Sequence, residues 1–284
     1  MSSTSWGAEE VMWMVTEQMC ANILQEYLSG TTIKEISQKY SISYWRAYNI
    51  IKQHGIARKP RKPRKIPILY NQESPFEEEI KMYLEEVYLW YIPIKVNDDL
   101  SWTLFYAIGD GFITVDSLRI CGSPRKIPYY MVVDKIRAIP NELKPRKITV
   151  YFLKRADENR RSWVKATEEE HEKWILQLNN TMLVRAFKAL RYGEFLSEIE
   201  LDPAIAGIYD ADGYYNPERQ EIVISQNTSK SANLIMELLS IAKIPYRTRK
   251  GGRGKNGRQL HIVIKAEDIY PALEKYSLRL RLQK

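Results

Sequence analysis

Two aspartates in this chain end apolar stretches, and each is followed by glycine. Asp212 closes Ile205-Ala206-Gly207-Ile208-Tyr209-Asp210-Ala211-Asp212-Gly213, and Asp110 closes the poorer copy Thr103-Leu104-Phe105-Tyr106-Ala107-Ile108-Gly109-Asp110-Gly111. The apolar positions suit a buried helix, the small residues Ala206, Gly207 and Ala211 permit close approach to a partner helix, and the glycine can end it. A carboxylate is thereby delivered at a helix tip. Two such tips brought together would offer paired oxygen ligands to a divalent cation such as Mg²⁺. A cation held in this way stabilises the charge of a phosphate transition state and activates an attacking water. The other common chemistries have little support. His54, His171 and His261 are scattered, and Cys20 and Cys121 form no metal-ligand spacing, which argues against a zinc centre, a histidine-based triad and a structural disulfide.

The elements that must position these acids repeat along the chain. After Asp212 the pattern predicts strands at 214–220 and 221–226, a helix over 231–244, a basic strand pair at 245–249 and 259–265 around Gly251, Gly252 and Gly254, and a helix over 266–276. After Asp110 it predicts strands at 112–115 and 118–121, a mixed segment to Ile139, strands at 147–153 and 162–166, and a helix over 167–179. Two further helices are expected as scaffold, one over 76–96 with Ile80, Tyr83, Leu84 and Val87 inward, and one over 182–199. The organisation is thus two αββαββα copies in one chain.

With two motif strings and this order of elements, the chain resembles the LAGLIDADG homing endonucleases of the two-motif, single-chain type, over roughly residues 95–284. The resemblance implies an α+β fold in which two pseudo-symmetric repeats form a saddle on double-stranded DNA, with the motif helices packed in parallel across a pseudo-twofold axis. It assigns metal binding and catalysis to Asp110 and Asp212, with Mg²⁺ or another divalent cation as cofactor. It adds Gln226, at the end of Ile222-Val223-Ile224-Ser225-Gln226, and a basic residue after the last helix, Arg281 with Arg279 as competitor. Arg247, Arg249, Lys250, Arg253 and Arg258 crowd the predicted hairpin and become candidate DNA contacts. The first copy departs from the pattern. Phe105 stands where the motif has its close-packing glycine, Gly122 falls near the place of Gln226, and Ile108 replaces Asp210.

Residues 1–57 read as a separate all-α unit. A helix-period run over 8–27 ends at Ser29-Gly30-Thr31, Thr32 can cap a helix over 33–40, and Ser43 can cap a third over 44–53. Ile36, Ile42, Ala47, Ile50 and Ile51 would be buried, while Tyr44, Trp45, Arg46, Tyr48 and Asn49 would project. This unit resembles the helix-turn-helix of resolvases and invertases, whose third helix lies in the major groove, and Arg46 and Asn49 are types that read guanine and adenine edges. Residues 58–75 follow as a basic, proline-punctuated arm. Arg58, Lys59, Arg61, Lys62, Arg64 and Lys65 could track a phosphate backbone. The expected domains are therefore 1–57, 58–75, 76–181 and 182–284.

The net charge of +8 and pI of about 9.2 permit a polyanionic partner. Nothing reads as a membrane span, so a cytoplasmic, nucleoid-associated chain is expected. Three functions compete. The first is a Mg²⁺-dependent, sequence-specific DNA endonuclease acting as a monomer. The second is a non-cleaving DNA-binding regulator on the same scaffold, and the third, on analogy alone, is an RNA-binding maturase.

Overall fold

The structure, a computed structural model, describes residues 17–53, 64–72, 79–84, 87–156, 162–227, 229–254 and 257–282. Its compact units are residues 1–66 with 78–92, and residues 67–77 with 93–284.

The first unit is built on α1 (Glu17–Ser29), α2 (Ile33–Lys39) and α3 (Tyr44–Gln53). Ile23, Tyr27, Ile36, Ala47, Ile50 and Ile51 form its core, with Ile42 packed against it. Thr32 caps α2 in a reciprocal capping box with Glu35, and the Ser43 hydroxyl accepts from the Arg46 amide at 3.2 Å. The segment expected as a solvent-facing helix over 76–96 is instead a β-hairpin, β2 (Ile80–Leu84) with β3 (Val87–Lys95), in the register Ile80↔Tyr91 to Leu84↔Val87. The reason lies in Val87-Tyr88-Leu89-Trp90-Tyr91-Ile92, a β-branched and aromatic run that packs well on a pleated surface and overrides the neighbouring glutamates. Part of the expected arm is a strand. Arg64–Tyr70 forms β1, which joins β3 in a sheet of order β1-β3-β2, whereas Arg58, Lys59, Arg61 and Lys62 lie outside the described residues.

The second unit is mixed α/β. Its first half runs α4 (Asp98–Asp110), β4 (Gly111–Ile113), β5 (Leu118–Gly122), α5 (Tyr129–Ala138), β6 (Ile148–Arg155), β7 (Trp163–Lys165), β8 (Lys173–Leu178) and α6 (Thr181–Arg191). Its second half runs α7 (Leu201–Asp212), β9 (Gly213–Asn216), β10 (Glu221–Gln226), α8 (Ser229–Ile241), β11 (Tyr246–Gly254), β12 (Gly257–Lys265), α9 (Ala266–Tyr276) and α10 (Leu278–Arg281). The strands form a five-stranded sheet, β4-β5-β8-β6-β7, and a four-stranded sheet, β11-β12-β10-β9.

Two helices expected in this unit are corrected. Residues 173–178 of the expected helix over 167–179 form strand β8, because Trp174, Leu176 and Leu178 are buried in strict alternation, a period of two rather than 3.6. The helix expected over 182–199 stops at Arg191. Gly193 there adopts φ +83°, and only a short 3-10 turn, Leu196–Glu198, follows. Among the described residues no helix is long and apolar enough to cross a membrane.

Among the described residues the most extensive helix packing is α4 against α7. A Cβ added at Gly207 would lie 2.4 Å from the Trp102 carbonyl oxygen and 3.0 Å from the Tyr106 nitrogen. One added at Gly109 would lie 2.7 Å from both the Ala211 Cβ and Asp212 Oδ2. The two contacts advance together along both helices, so the helices run parallel and finish side by side. Phe105 is fully buried, and the close approach is secured by Gly207 and, at the tips, by Gly109.

Candidate metal and nucleic-acid site

The parallel packing brings the two acids to one place. Asp110 and Asp212 are the last residues of α4 and α7, and Asp212 Oδ2 reaches the position where a side chain on Gly109 would begin. Glycine at 109 is therefore what lets the second carboxylate lean over the first helix tip. Gln226, at the end of β10, donates from Nε2 to Asp212 Oδ2 at 2.7 Å. Burial raises both carboxyls. Asp110 is pushed up to about 7, first by burial and then by the Asp212 carboxylate, with Lys126 and Lys173 pulling the other way. Asp212 is also raised by burial, against the Gln226 bond and Lys126. Asp110, which lacks the side-chain amide that steadies Asp212, carries the proton of the pair more readily.

The two halves differ at the position facing these acids. Ile120 of β5 pairs with Gly111, as Ile224 of β10 pairs with Gly213. Two residues further along, Gly122 occupies the place that Gln226 occupies in the second half. No side chain fits there, since a Cβ at Gly122 would lie 2.1 Å from Cζ2 of Trp174. Trp174 is fully buried, donates from Nε1 to the Ile127 carbonyl at 2.9 Å and stacks on Tyr106, which in turn stacks on Trp102. The far end of this aromatic column is tied across to α7, where Trp102 Nε1 donates to Asp210 Oδ2 at 3.0 Å. An aromatic column thus stands in the first half where the second half has its polar group.

Asp210 itself is fully buried and acts as an anchor. It accepts from the Ser277 hydroxyl and from the Leu278 and Arg279 amides, which holds the start of α10. Arg279 in turn donates to the Gly213 carbonyl, beside Asp212, and its guanidinium lies 5.6 Å from the Tyr209 ring. Arg281 is placed elsewhere. It donates to the Lys275 carbonyl and lines a cleft with Asp99 and Lys135 near the start of α4, about 16 Å along that helix from Asp110. The structure does not bring Arg281 to the acids.

Sequence spacing held no sign of Lys126 and Lys173. The Lys126 ammonium donates to the Ala211 carbonyl at 3.1 Å, and both lysines line, with Asp110, a cleft of about 920 Å³. Both reach the site through tertiary folding, from the β5–α5 turn and from β8.

Two converging carboxylates, both raised by burial and Asp110 also by Asp212, together with an amide and a cationic cleft, fit a divalent cation that keeps part of its shell for water and phosphate. Among the described residues there is no cluster of three or more His, Cys, Asp or Glu that could cage a metal. Mg²⁺ bound through one or two carboxylates and substrate oxygens needs no such cage.

The candidate DNA contacts fall in both units. Tyr44 and Trp45 are 51% and 69% exposed. Trp45 stands edge-on to Tyr44 and Tyr48, with Asn49 exposed and Arg46 half-buried on the same helix. Arg64 is exposed, and the Lys65 ammonium sits 4.2 Å over the Trp90 ring. On the four-stranded sheet Arg247 pairs with Glu221, Arg249 donates to the Tyr214 hydroxyl at 3.4 Å, and Lys250 is exposed. Arg253 and Arg258 pair in register near the β11–β12 turn.

Residues 203–276 match the family described as LAGLIDADG-like domain. No curated protein matches the chain. Among solved structures, mesophilic variants of the homing endonuclease I-DmoI align at 14% identity over 63% of this chain and 94% of theirs, with a TM-score of 0.38. I-DmoI in complex with DNA and Mn aligns at 14% over 63% and 96%, with a TM-score of 0.38. The N-terminal LAGLIDADG domain of DUF199/WhiA aligns at 12% identity over 68% and 90%, with a TM-score of 0.40. The matched residues run from α7, which carries Asp212, through strands β9 to β12 and helix α8 to the end of α9, so this stretch is similar to a LAGLIDADG-like domain.

Proposed function

We propose that this chain binds double-stranded DNA at a defined sequence and cleaves it with Mg²⁺ or a similar divalent cation held by Asp110 and Asp212. The observation that carries this reading is the convergence of the two helix-tip carboxylates, with Asp212 Oδ2 seated over Gly109. Like charges brought together in a half-buried site are relieved by a proton or by a cation between them, and where a divalent cation takes that place a phosphodiester is an anion that can complete its shell. When bound, the metal would supply charge neutralisation of the phosphate and an acidified water. Gln226 would orient a polar group at the Asp212 side, and Lys126 and Lys173 would face the phosphate charge beside Asp110.

A second reading, a non-cleaving DNA-binding regulator, is favoured by one specific feature. Trp174 occupies the space where an amide would face Asp110, so the first half lacks the polar partner that the second half keeps. The test that separates the two is selection of a bound site from a duplex library, followed by incubation of that site with the protein over a Mg²⁺, Mn²⁺ and temperature series. Strand breaks at the selected site are expected. Tight binding with both strands intact throughout the series would sink the cleavage reading and leave the regulator.

The basic arm is expected to contribute affinity without sequence preference. Neutralising Arg58, Lys59, Arg61, Lys62, Arg64 and Lys65 together should weaken binding to all duplexes alike. It should flatten the slope of log K against log salt by about 0.9 for each phosphate that is no longer neutralised. A slope unchanged in a salt titration would make the segment a connector only.

A further inference from the structure

The candidate DNA contacts read from the sequence on the sheets of the second unit all lie in its second half, on the arginine-rich β11–β12 hairpin. The five-stranded sheet of the first half carries a more ordered arrangement. On β5, Leu118 and Ile120 are buried, so strand alternation turns Arg119 to the other, open face. Its direct cross-strand neighbours there are Phe112 on β4 and Gln177 on β8. Phe112 is 41% exposed, as is Tyr151 on β6 at 38%, so the face is open.

The Arg119 side chain is fixed from three sides. Its Nε donates to Gln177 Oε1 at 3.0 Å, and the Tyr151 hydroxyl donates to the same oxygen at 3.3 Å. The Gln177 amide is itself oriented, since Nε2 donates to Asn179 Oδ1 at 3.2 Å. The guanidinium carbon lies 5.8 Å from the ring centres of both Phe112 and Tyr151, within the range of attraction between a cation and an aromatic face. Arg119 makes no ion pair among the described residues, and of its nitrogens only Nε has a partner there. The two terminal amino groups remain as an open fork.

We propose that Arg119 reads a guanine in the major groove of the bound duplex, its fork donating to O6 and N7, with Gln177 and Tyr151 as positioning residues. This rests on the duplex-binding reading above. Three features favour a base edge over a phosphate. The fork is held at a set angle, which bidentate recognition of two adjacent acceptors requires. The groups that hold it are two rings and an amide, with one further cation, Lys165, in the lining of the same cleft, whereas a phosphate site gathers several cations and backbone amides. The exposed Phe112 and Tyr151 rings also offer apolar contact of the kind a thymine methyl accepts, so a neighbouring T is compatible with the same patch.

The test uses the full chain and selection from a randomised duplex library, run on wild type, Arg119→Ala, Arg119→Lys and Gln177→Ala, with a melting curve for each. Wild type is expected to prefer G at one position by about 10- to 100-fold. Arg119→Ala and Arg119→Lys should lose that preference while every other position of the site is unchanged. Gln177→Ala should weaken it in part, because the fork is intact but no longer aimed. Should Arg119→Ala melt too low to assay, Arg119→Lys and Gln177→Ala decide the matter. An unchanged base preference in variants that still bind would overturn the assignment. So would a uniform loss across all sequences with a salt slope reduced by about one, which marks a phosphate contact. Absence of any duplex affinity in wild type at low salt would instead remove the DNA-binding reading itself.

Discussion

Asp212→Asn is expected to lower Mg²⁺-dependent strand cutting by on the order of 10³-fold while leaving affinity for the selected duplex close to that of wild type. The substitution keeps the shape of the side chain at the α7 tip and an acceptor for Gln226, but it removes the charge that a divalent cation requires. Single-turnover cleavage of an end-labelled duplex measures the first effect and a gel-shift titration the second. Cutting at the wild-type rate by the variant would rule Asp212 out as a metal ligand. The same charge pair makes a stability prediction whose sign is set by Asp110. Its carboxyl is pushed from 3.8 up to about 7, so the folded chain holds a proton that the unfolded chain gives up. That stabilisation is fully present below the unfolded value and is lost as pH rises through about 7. In calorimetric scans wild type should therefore melt lower at pH 8 than at pH 5. Asp110→Asn should show a flatter dependence, and added Mg²⁺ should restore more stability at pH 8 than at pH 5. A wild-type pH dependence identical to that of Asp110→Asn would contradict the burial of the Asp110 carboxyl beside Asp212.

Gly207→Ala is expected to cost about 3 kcal/mol of stability in the second unit, a fall in melting temperature on the order of 6–12 °C for a domain of this size. One methyl group is enough because it would meet backbone, at 2.4 Å from the Trp102 carbonyl oxygen and 3.0 Å from the Tyr106 nitrogen. Neither atom belongs to a side chain that could swing away, so α4 and α7 must move apart. Their tips would separate with them. Cutting should then fall by about 100-fold even in the folded fraction, since misplacement of about 1 Å in a catalytic constellation costs that much. Thermal melting and single-turnover cleavage at a temperature where the variant stays folded read the two effects separately. An unaltered melting temperature would mean that the helices are not in backbone contact at this position.

Much of the second half was readable in the sequence. Ile205 to Gly213 combine apolar, small and acidic residues in an order that suits a close-packed helix ending in a carboxylate, and the structure has a helix from Leu201 to Asp212. The strand from Glu221 to Gln226 and the helix from Ala266 to Tyr276 have the predicted bounds, because their periodicities are unmixed. Thr32 and Ser43 were legible as caps because capping is local chemistry, settled within three residues.

The first half was harder to read, for a physical reason. Lys173–Leu178 is a strand whose pairing partners, β5 and β6, lie elsewhere in the chain, and the charged flank Glu168-Glu169-Glu170 lent it a helical look. Strand propensity is expressed through neighbours that a linear reading does not contain. The departures at Phe105 and Gly122 were visible as departures, but their meaning was not. Only the packing accounts for Gly122, because Trp174 occupies its side-chain space from across the sheet. Only the packing shows that Gly207 and Gly109 bring the helices together despite Phe105.

The two helix-tip acids were thus determined by the sequence alone, since a nine-residue string holds everything needed to recognise them. The tertiary structure decided what surrounds them. It bonds Gln226 to Asp212, keeps Arg281 away at the far end of α4, and brings Lys126 and Lys173 in from turns and strands remote in sequence. Those placements depend on how distant segments share space.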